Sequence, residues 1–325
     1  MLFPVTMGAT KPVKKSCKVA GFCLLLLLYL NSGQLWAQDS LARTQDTDTA
    51  TALNRSRLNG LIIGGAVVYA GAMTGLYQMW YKDYPQTTFH FYNDNAEWLQ
   101  LDKGGHMFNA YYIGMIGYES LRWAGVDERK SAIYGGSVGF MFQTVIEILD
   151  GFSAEWGASG GDLIANTIGS GTFISQQLIW NEQRIRIKWS VHLTDYAHYR
   201  PDQLGSNFPE RMIKDYNGQV FWLSGNIRSF MKKESRFPKW LNVAVGYGGE
   251  GMTGGFDNPT AYNGVPLPAF DRYRKFYVAP DIDLSRIHTR SQILNLLLKG
   301  LGIFKFPMPS LEFSKKGVKF HPLYF

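Results

Sequence analysis

Cysteine is almost absent from this chain of 325 residues. Its two cysteines, Cys17 and Cys23, both lie near the N-terminus. If that segment is removed during export, the mature protein contains no cysteine, so it can form neither disulfides nor thiolate metal sites. An exported protein of this composition must be held together by packing alone.

The first 37 residues have the pattern of a secretory signal peptide. Four lysines precede the apolar run 19–30, and Ala37 follows at a suitable cleavage point. Cys23 lies inside the apolar run directly after the bulky Phe22, so we do not expect it to carry a lipid. The sequence predicts export to the bacterial cell envelope, either in the periplasm or associated with a membrane.

A strong charge of one sign is also missing. The signal peptide holds four lysines and no acid, so removing those lysines from the formal charge of +7 leaves +3. Binding to nucleic acid normally requires a clearly basic surface. We therefore expect no nucleic acid partner.

The first half of the mature chain has helical patterns. Residues 38–56 are polar and predict a flexible linker. The segment 58–81 has no charged residue, is long enough to cross a bilayer and contains glycines four residues apart. A buried helix of a soluble bundle is the alternative. With three further helices predicted at 102–123, 131–150 and 162–180, residues 57–180 predict a Gly-rich four-helix bundle associated with a membrane.

Residues 181–325 are rich in strand patterns, so the predicted fold class is α+β. Apolar and polar residues alternate in 184–192, which predicts a half-buried strand whose polar face, including His192, is solvated. We predict further strands at 241–247, 276–284, 311–314 and 318–321, and helices at 218–231 and 291–301. Small barrels need about eight strands and about five are visible. A small sheet packed on the helices or lying at a membrane surface is therefore favoured.

Each of three predicted helices carries polar residues on one face. Positions i, i+4 and i+7 fall within a narrow arc of a helix. Burying such groups without partners costs roughly 1–3 kcal/mol each, and more for a charge, so we expect them to converge on one interior site. The residues are Asp102, His106 and Asn109, then Gln143, Glu147 and Asp150, then Asp162 and Asn166.

Three interpretations of this expected site are open. The candidate catalytic residues are His106, Asp102, Glu147, Asp150 and Asp162, with Asn166 and Lys103 in support. In one interpretation a divalent metal ion is held by His106, Glu147, Asp150 and Asp162. In another, crowded carboxylates and the histidine perform acid/base catalysis without a metal. In the third, the side chains form a structural network that fixes the helix register.

Three fragments occur in a specific order and spacing. Asp102-Lys103-Gly104-Gly105-His106 is followed by Glu147-x-x-Asp150 and by Ser159-Gly160-Gly161-Asp162-x-x-x-Asn166-x-x-Gly169. The pattern resembles that of the YfiM-like bacterial envelope proteins and is distantly similar to the VanZ-like membrane family. The resemblance covers about residues 99–170. It implies a small helical, membrane-associated envelope module, without an established reaction.

Two hypotheses for the function follow from these features. In the first, the polar site acts on lipid or cell-wall material, for example by hydrolysis, with His106 as base or ligand. In the second, the protein is a non-catalytic envelope scaffold or assembly factor in which the cluster is structural. The sequence identifies neither a substrate nor a protein partner.

Overall fold

A computed structural model describes residues 52–82, 84–232 and 234–324. The predicted signal peptide at 1–37 and most of the predicted linker at 38–56 lie outside the described residues. Helices dominate the first part of the described chain and an antiparallel sheet dominates the second, so the predicted α+β class is confirmed.

Four long helices form the first part. They are α1 at Arg55–Leu76, α2 at Leu101–Trp123, α3 at Glu128–Asp150 with a π-helical turn at Ser131–Gly135, and α4 at Gly160–Trp180. Three shorter helices follow, namely α5 at Pro201–Leu204, α6 at Phe208–Lys214 and α7 at Gln292–Leu301. The helices predicted at 102–123, 131–150, 162–180 and 291–301 are confirmed.

Three of the long helices pack closely because glycines lie at their contacts. A Cβ atom at Gly139 of α3 would lie 2.0 Å from the carbonyl oxygen of Ala110 in α2. One at Gly169 of α4 would lie 2.2 Å from the carbonyl oxygen of Met107. By contrast, none of the residues of α1 is buried, and a Cβ atom at any of its glycines would have no described neighbour within 4 Å. The predicted four-helix membrane bundle is therefore not confirmed, since three helices form the packed unit.

Two helices, α1 and α3, are long and apolar enough to cross a membrane. The most apolar window of α3 is 33 % buried, and α3 packs against both α2 and α4. The corresponding window of α1 is 0 % buried. Among the described helices that could span by length, α1 is thus the one without a buried residue.

The strands form three sheets. β1 (Phe91–Tyr92) pairs in parallel with β2 (Ala158–Ser159) and so joins the segment before α2 to the start of α4. The chain continues with β3 (Ile185–Val191), β4 (Gln219–Asn226), β5 (Leu241–Glu250), the hairpin of β6 (Ala261–Tyr262) and β7 (Val265–Pro266), then β8 (Tyr273–Ile282), β9 (Met308–Ser314) and β10 (Gly317–Tyr324). The large sheet is antiparallel in the order β10-β9-β8-β5-β4-β3. The predicted small sheet and final hairpin are confirmed.

The prediction of a helix at 218–231 is wrong. This segment forms β4, followed by a 3₁₀ turn at Ile227–Phe230. Near the centre of β4, Val220 and Trp222 lie on one face of the sheet, while Phe221 and Leu223 lie on the other. Because both faces are apolar there, the alternation that identifies a strand is lost.

The two faces of the six-stranded sheet differ in polarity, and the polar face is enclosed. On this face the fully buried side chains of Lys188 and Asp281 form an ion pair at 2.7 Å. Tyr324 of β10 contacts the rings of Tyr277 and of His192, which follows β3. Since β3 and β10 are opposite edges, the sheet curls around its polar face. Lys188 is fully buried and the Nδ1 atom of the half-buried His192 is enclosed, so the prediction that this polar face is solvated is wrong.

The other face, which we call the apolar face, packs on α2 over part of its area. Ile187, Trp189 and Phe221 of the sheet share the main hydrophobic core with Leu101 and Phe108 of α2. This core fixes the start of α2 against the sheet. The part of the apolar face on β5, β8, β9 and β10 is exposed.

Candidate functional site

The candidate site lies where the first turns of α2 and α4 meet the last turns of α3. Ser159 determines where α4 begins, because its Oγ accepts a hydrogen bond from Asp162 N at 3.1 Å. The helices contribute Asp102, Lys103 and His106 from α2, Gln143 and Glu147 from α3, and Asp162 and Asn166 from α4. The predicted polar stripes of three helices therefore do face one another.

A strained segment brings two further acids to the start of α2. Three consecutive residues have positive φ angles of 46°, 52° and 71°, namely Trp98, Leu99 and Gln100. This conformation costs of order 1–2 kcal/mol for each residue that is not glycine. Trp98 N donates a hydrogen bond to Gly255 O at 2.8 Å, which holds the segment against the loop after β5. The turn thereby carries Asp94 and Glu97 to the cluster.

Lys103 neutralises part of the acidic cluster. Its Nζ atom lies 2.7 Å from Asp94 Oδ1, 2.9 Å from Asp102 Oδ2 and 3.0 Å from Asp162 Oδ1. Ser159 Oγ also donates a hydrogen bond to Asp94 Oδ1 at 2.5 Å. Burial alone would raise the pKa of Asp94, but the hydrogen bonds from Lys103 and Ser159 hold this pKa below its usual value.

His106 lies between two carboxylates and two amides. Its Nδ1 atom is 3.2 Å from Asn166 Oδ1, 3.4 Å from Gln143 Nε2 and 3.7 Å from Glu147 Oε1. Its Nε2 atom is 3.8 Å from Asp162 Oδ1. When Nδ1–H donates to Asn166 Oδ1, the lone pair of Nε2 is left on the side of Asp162. This is the way in which neighbouring acceptors usually orient a histidine ligand.

Several buried oxygens of the site lack a hydrogen bond among the described residues. Glu147 Oε2 accepts one from Ser159 N at 3.0 Å, whereas Glu147 Oε1 accepts none. Asp162 Oδ1 also accepts none, although Lys103 Nζ lies 3.0 Å from it. Asp102 Oδ1 likewise accepts no hydrogen bond. The side chain of Glu147 is 3 % exposed, so water cannot readily replace the missing donor. Each such group costs about 1–3 kcal/mol unless it gains a proton or a cation.

Three carboxyl groups of the site, unlike Asp94, hold their protons more tightly than usual. Burial and the nearby charges of Asp162 and Asp150 raise the pKa of Glu147 to about 8. Burial also raises the pKa of Asp162 to about 6, and burial together with Asp94 and Asp102 raises that of Glu97 to about 7. Near neutral pH the site therefore retains protons, which a bound cation would displace.

The structure brings together most of the residues selected from the sequence, but not all. Asp150 Oδ1 accepts a hydrogen bond from Tyr81 OH at 2.6 Å, and Asp150 lies outside the groups of close ligand atoms. Asn109 is exposed. Asp94 and Glu97 were not selected from the sequence, and Ser159 was named there only as part of the family-like pattern. The serine before the first turn of α4 is a recognisable capping signal, whereas the two acids lie in an irregular segment without periodicity.

Two groups of three side chains place ligand atoms within 4.8 Å of one another. They are Asp94, Asp102 and Asp162, and His106, Glu147 and Asp162. In the first group the Lys103 ammonium already pairs with every acid. The second group offers one nitrogen and two carboxylates, a donor set that fits zinc or another divalent ion.

A cavity of about 510 Å³ lies beside the cluster. Its lining combines the apolar Phe91, Tyr92 and Ile164 with Asn95 and Gly161. A Cβ atom at Gly161 would lie 2.1 Å from Asn95 Oδ1 and 3.0 Å from Lys103 Cε, so this wall of the cavity adjoins the site. Phe91 and Ile164 are more than 60 % exposed, so this cavity is open to the surface rather than enclosed.

The comparisons with known proteins agree with an envelope location. Residues 90–176 match the model of a family described as "Predicted periplasmic lipoprotein (DUF2279)", and all the clustered acids, Lys103 and His106 lie in this segment. Neither a curated protein nor a solved structure matches the chain. The description as a lipoprotein supports association with a membrane and differs from our expectation for Cys23, which lies outside the described residues. The predicted export to the bacterial cell envelope is confirmed by this similarity.

Proposed function

We propose that this envelope protein binds a divalent metal ion through His106, Glu147 and Asp162 and acts on lipid or cell-wall material. One observation carries the proposal: the ligand atoms of His106, Glu147 and Asp162 lie within 4.8 Å of one another, and the buried Glu147 Oε1 accepts no hydrogen bond from a described residue. Ligand atoms around a tetrahedral zinc ion are about 3.4 Å apart, so small adjustments would complete the site. Three protein ligands leave one position for water, as in catalytic zinc sites.

Hydrolysis is the reaction class that suits this arrangement. When bound, the ion supplies a Lewis acid and lowers the pKa of a coordinated water. Asn166 orients the imidazole of His106, and Lys103 fixes the position of Asp162. The partly aromatic cavity beside the cluster suits the apolar part of an amphiphilic substrate. The resemblance of the residue pattern to YfiM-like and, distantly, VanZ-like proteins supports a role on envelope material.

Metal analysis of the detergent-extracted protein tests the proposal. We expect about one divalent ion per chain in the wild type and a loss of that ion in His106→Ala and Glu147→Gln. Asp150→Asn is the matched control, because Asp150 is a neighbouring acid of α3 whose partner is Tyr81. It should retain the metal. A wild type that stays free of metal after incubation with zinc, or equal loss of metal in Asp150→Asn, would contradict the proposal.

A non-catalytic scaffold is the second candidate, and the contacts of Lys103 favour it. This side chain joins the segment before α2 to α4 through Asp94 and Asp162. In a scaffold, His106→Ala would lower thermal stability in step with any phenotype. In a metal site, the same change would remove the metal with little unfolding, since active-site groups often contribute little to stability.

We further propose that α1 anchors the protein in a membrane. Its 22 residues correspond to about 33 Å, which matches the hydrocarbon core of a bilayer. Its exposed apolar side chains include Ile62, Ile63 and Val67, each with more than 60 % of its surface exposed. A lipid environment would cover this surface on all sides.

A further inference from the structure

The exposed part of the apolar face forms a continuous surface. Register pairs connect its side chains from strand to strand: Val245 lies opposite Val278, Phe276 opposite Phe313, and Leu311 opposite Phe320. Nine side chains on this face are 40–67 % exposed, namely Leu223, Val243, Val245, Phe276, Val278, Leu311, Phe313, Val318 and Phe320. Soluble monomers rarely expose contiguous apolar patches larger than a few hundred Å².

The opposite face of the same strands is enclosed and carries charges. Lys188 and Asp281 are fully buried there, and Lys275 pairs with Glu250 at 3.1 Å. In a water-soluble sheet packed on one side, the apolar face is enclosed and the polar face meets water. Over β5, β8, β9 and β10 this sheet has the reverse arrangement, which is favourable only if its exposed side meets an apolar medium.

We infer that the exposed part of the apolar face contacts the acyl chains of a phospholipid bilayer. Cations at one end of the strands support a bilayer as the occupant: Arg274 lies at the start of β8 and Lys316 in the turn between β9 and β10, where the neighbouring Lys315 pairs with Asp271. At this position they can meet anionic lipid phosphates. The inference depends neither on the metal site nor on α1 crossing the bilayer.

Strand length indicates how the sheet lies in the bilayer. A transmembrane strand needs about 9–11 residues. Of the strands in this sheet, β3, β4, β9 and β10 have 7 or 8 residues. In addition, α2 covers the apolar face over β3 and β4. The sheet therefore rests against one leaflet, with its free half in contact with lipid.

Single cysteines on β10 test this contact residue by residue. Val318, Lys319 and Phe320 are all exposed, but Lys319 lies on the opposite face from its two neighbours. Each is changed to cysteine in the full chain, labelled with an environment-sensitive fluorophore and reconstituted into vesicles of phosphatidylethanolamine and phosphatidylglycerol. Labelled wild-type protein provides the background from Cys17 and Cys23. Some of the vesicles carry a quencher on the acyl chains, about 5–10 Å below the headgroups.

We expect emission from Val318→Cys and Phe320→Cys to shift to the blue on vesicles and to fall by about twofold or more with the quencher, because the apolar face of a bound element reaches about this depth. Lys319→Cys, the matched control, should show neither effect. Uniform emission at the three positions would overturn the inference. So would cross-linking of two chains through Val318→Cys without quenching, because a second copy would then cover this face.

Discussion

Replacing Glu147 by glutamine tests the electrostatics of the site. Burial and the charges of Asp162 and Asp150 raise the pKa of Glu147 from its ordinary 4.5 to about 8. Between these pH values the folded chain binds more protons than the unfolded chain. The stabilisation is fully present below about pH 4.5 and is lost as the pH rises to about 8. In the metal-free protein, the free energy of unfolding should therefore fall across this window.

The size of the effect follows from the same values. Each pH unit over which one extra proton is bound changes the free energy of unfolding by about 1.4 kcal/mol, so Glu147 alone would contribute roughly 4–5 kcal/mol. Its side chain is 3 % exposed, so solvent screens little of this. The charge of Asp162 is one cause of the raised pKa of Glu147, so the slope also depends on the ionisation of Asp162. We expect the wild type to lose at least about 2 kcal/mol between pH 5 and pH 8, and Glu147→Gln to lose much less.

Urea unfolding in detergent with a chelator, repeated from pH 5 to pH 8, measures this slope. Glu155→Gln removes an exposed acid and should keep the wild-type slope. A divalent ion at about 100 times its Kd should add about 2.7 kcal/mol at pH 8 and so make the decline with pH clearly shallower, because the ion binds the deprotonated carboxylate. The reasoning fails if the metal-free wild type is equally or more stable at pH 8 than at pH 5. It also fails if both variants change the slope equally.

Two further predictions concern the helices. Gly139→Ala should lower the free energy of unfolding by about 1–3 kcal/mol in urea, because the new methyl group meets the Ala110 carbonyl. At Gly171 a Cβ atom has no described neighbour within 4 Å, so Gly171→Ala should instead raise the free energy of unfolding by up to about 1 kcal/mol. Equal changes in stability for the two variants would refute the close contact at Gly139. If α1 crosses the bilayer, alkaline carbonate should leave the protein in the membrane pellet. Release into the supernatant would reject a spanning α1.

Helical periodicity predicted most of the polar side chains that meet, although it also selected Asn109 and Asp150, which do not. Asp102 and His106 are four residues apart, as are Asp162 and Asn166, so each pair lies on one side of its helix. Asp150 is three residues beyond Glu147. It is the last residue of α3, beyond the turns that face His106, and there it accepts a hydrogen bond from Tyr81 instead of joining the cluster.

The segment before α2 could not be predicted in the same way. The left-handed conformation of Trp98, Leu99 and Gln100 depends on tertiary contacts, such as the hydrogen bond from Trp98 N to Gly255 O. Local preference works against this conformation, because such residues avoid positive φ angles. The positions of Asp94 and Glu97 follow from this turn, so they were missed together with it.

Strand patterns could not predict which face of the sheet is enclosed. Alternation in 184–192 shows which residues share a face, but not which face is enclosed. Lys188 was assigned to the solvated side because lysine is almost never fully buried unless it is paired. Its partner is Asp281, far along the chain, and a pairing at that separation leaves no local signal.

The buried charges of the sheet bear on the medium that surrounds it. Removing two charges from water costs several kcal/mol per ion, and apolar residues of similar volume are often at least as stabilising in a soluble core. Here Asp281 is compensated by Lys188, by a hydrogen bond from Ser224 Oγ at 2.6 Å and by Lys305 Nζ at 3.8 Å. The same strand presents Phe276 and Val278 on its exposed side. In water this arrangement is unfavourable on both faces, because one exposes apolar side chains and the other buries charges. Against lipid the exposed apolar face becomes favourable, and the charges must then lie on the enclosed side. Contact with a membrane therefore accounts for both the enclosed ion pairs and the exposed apolar rows.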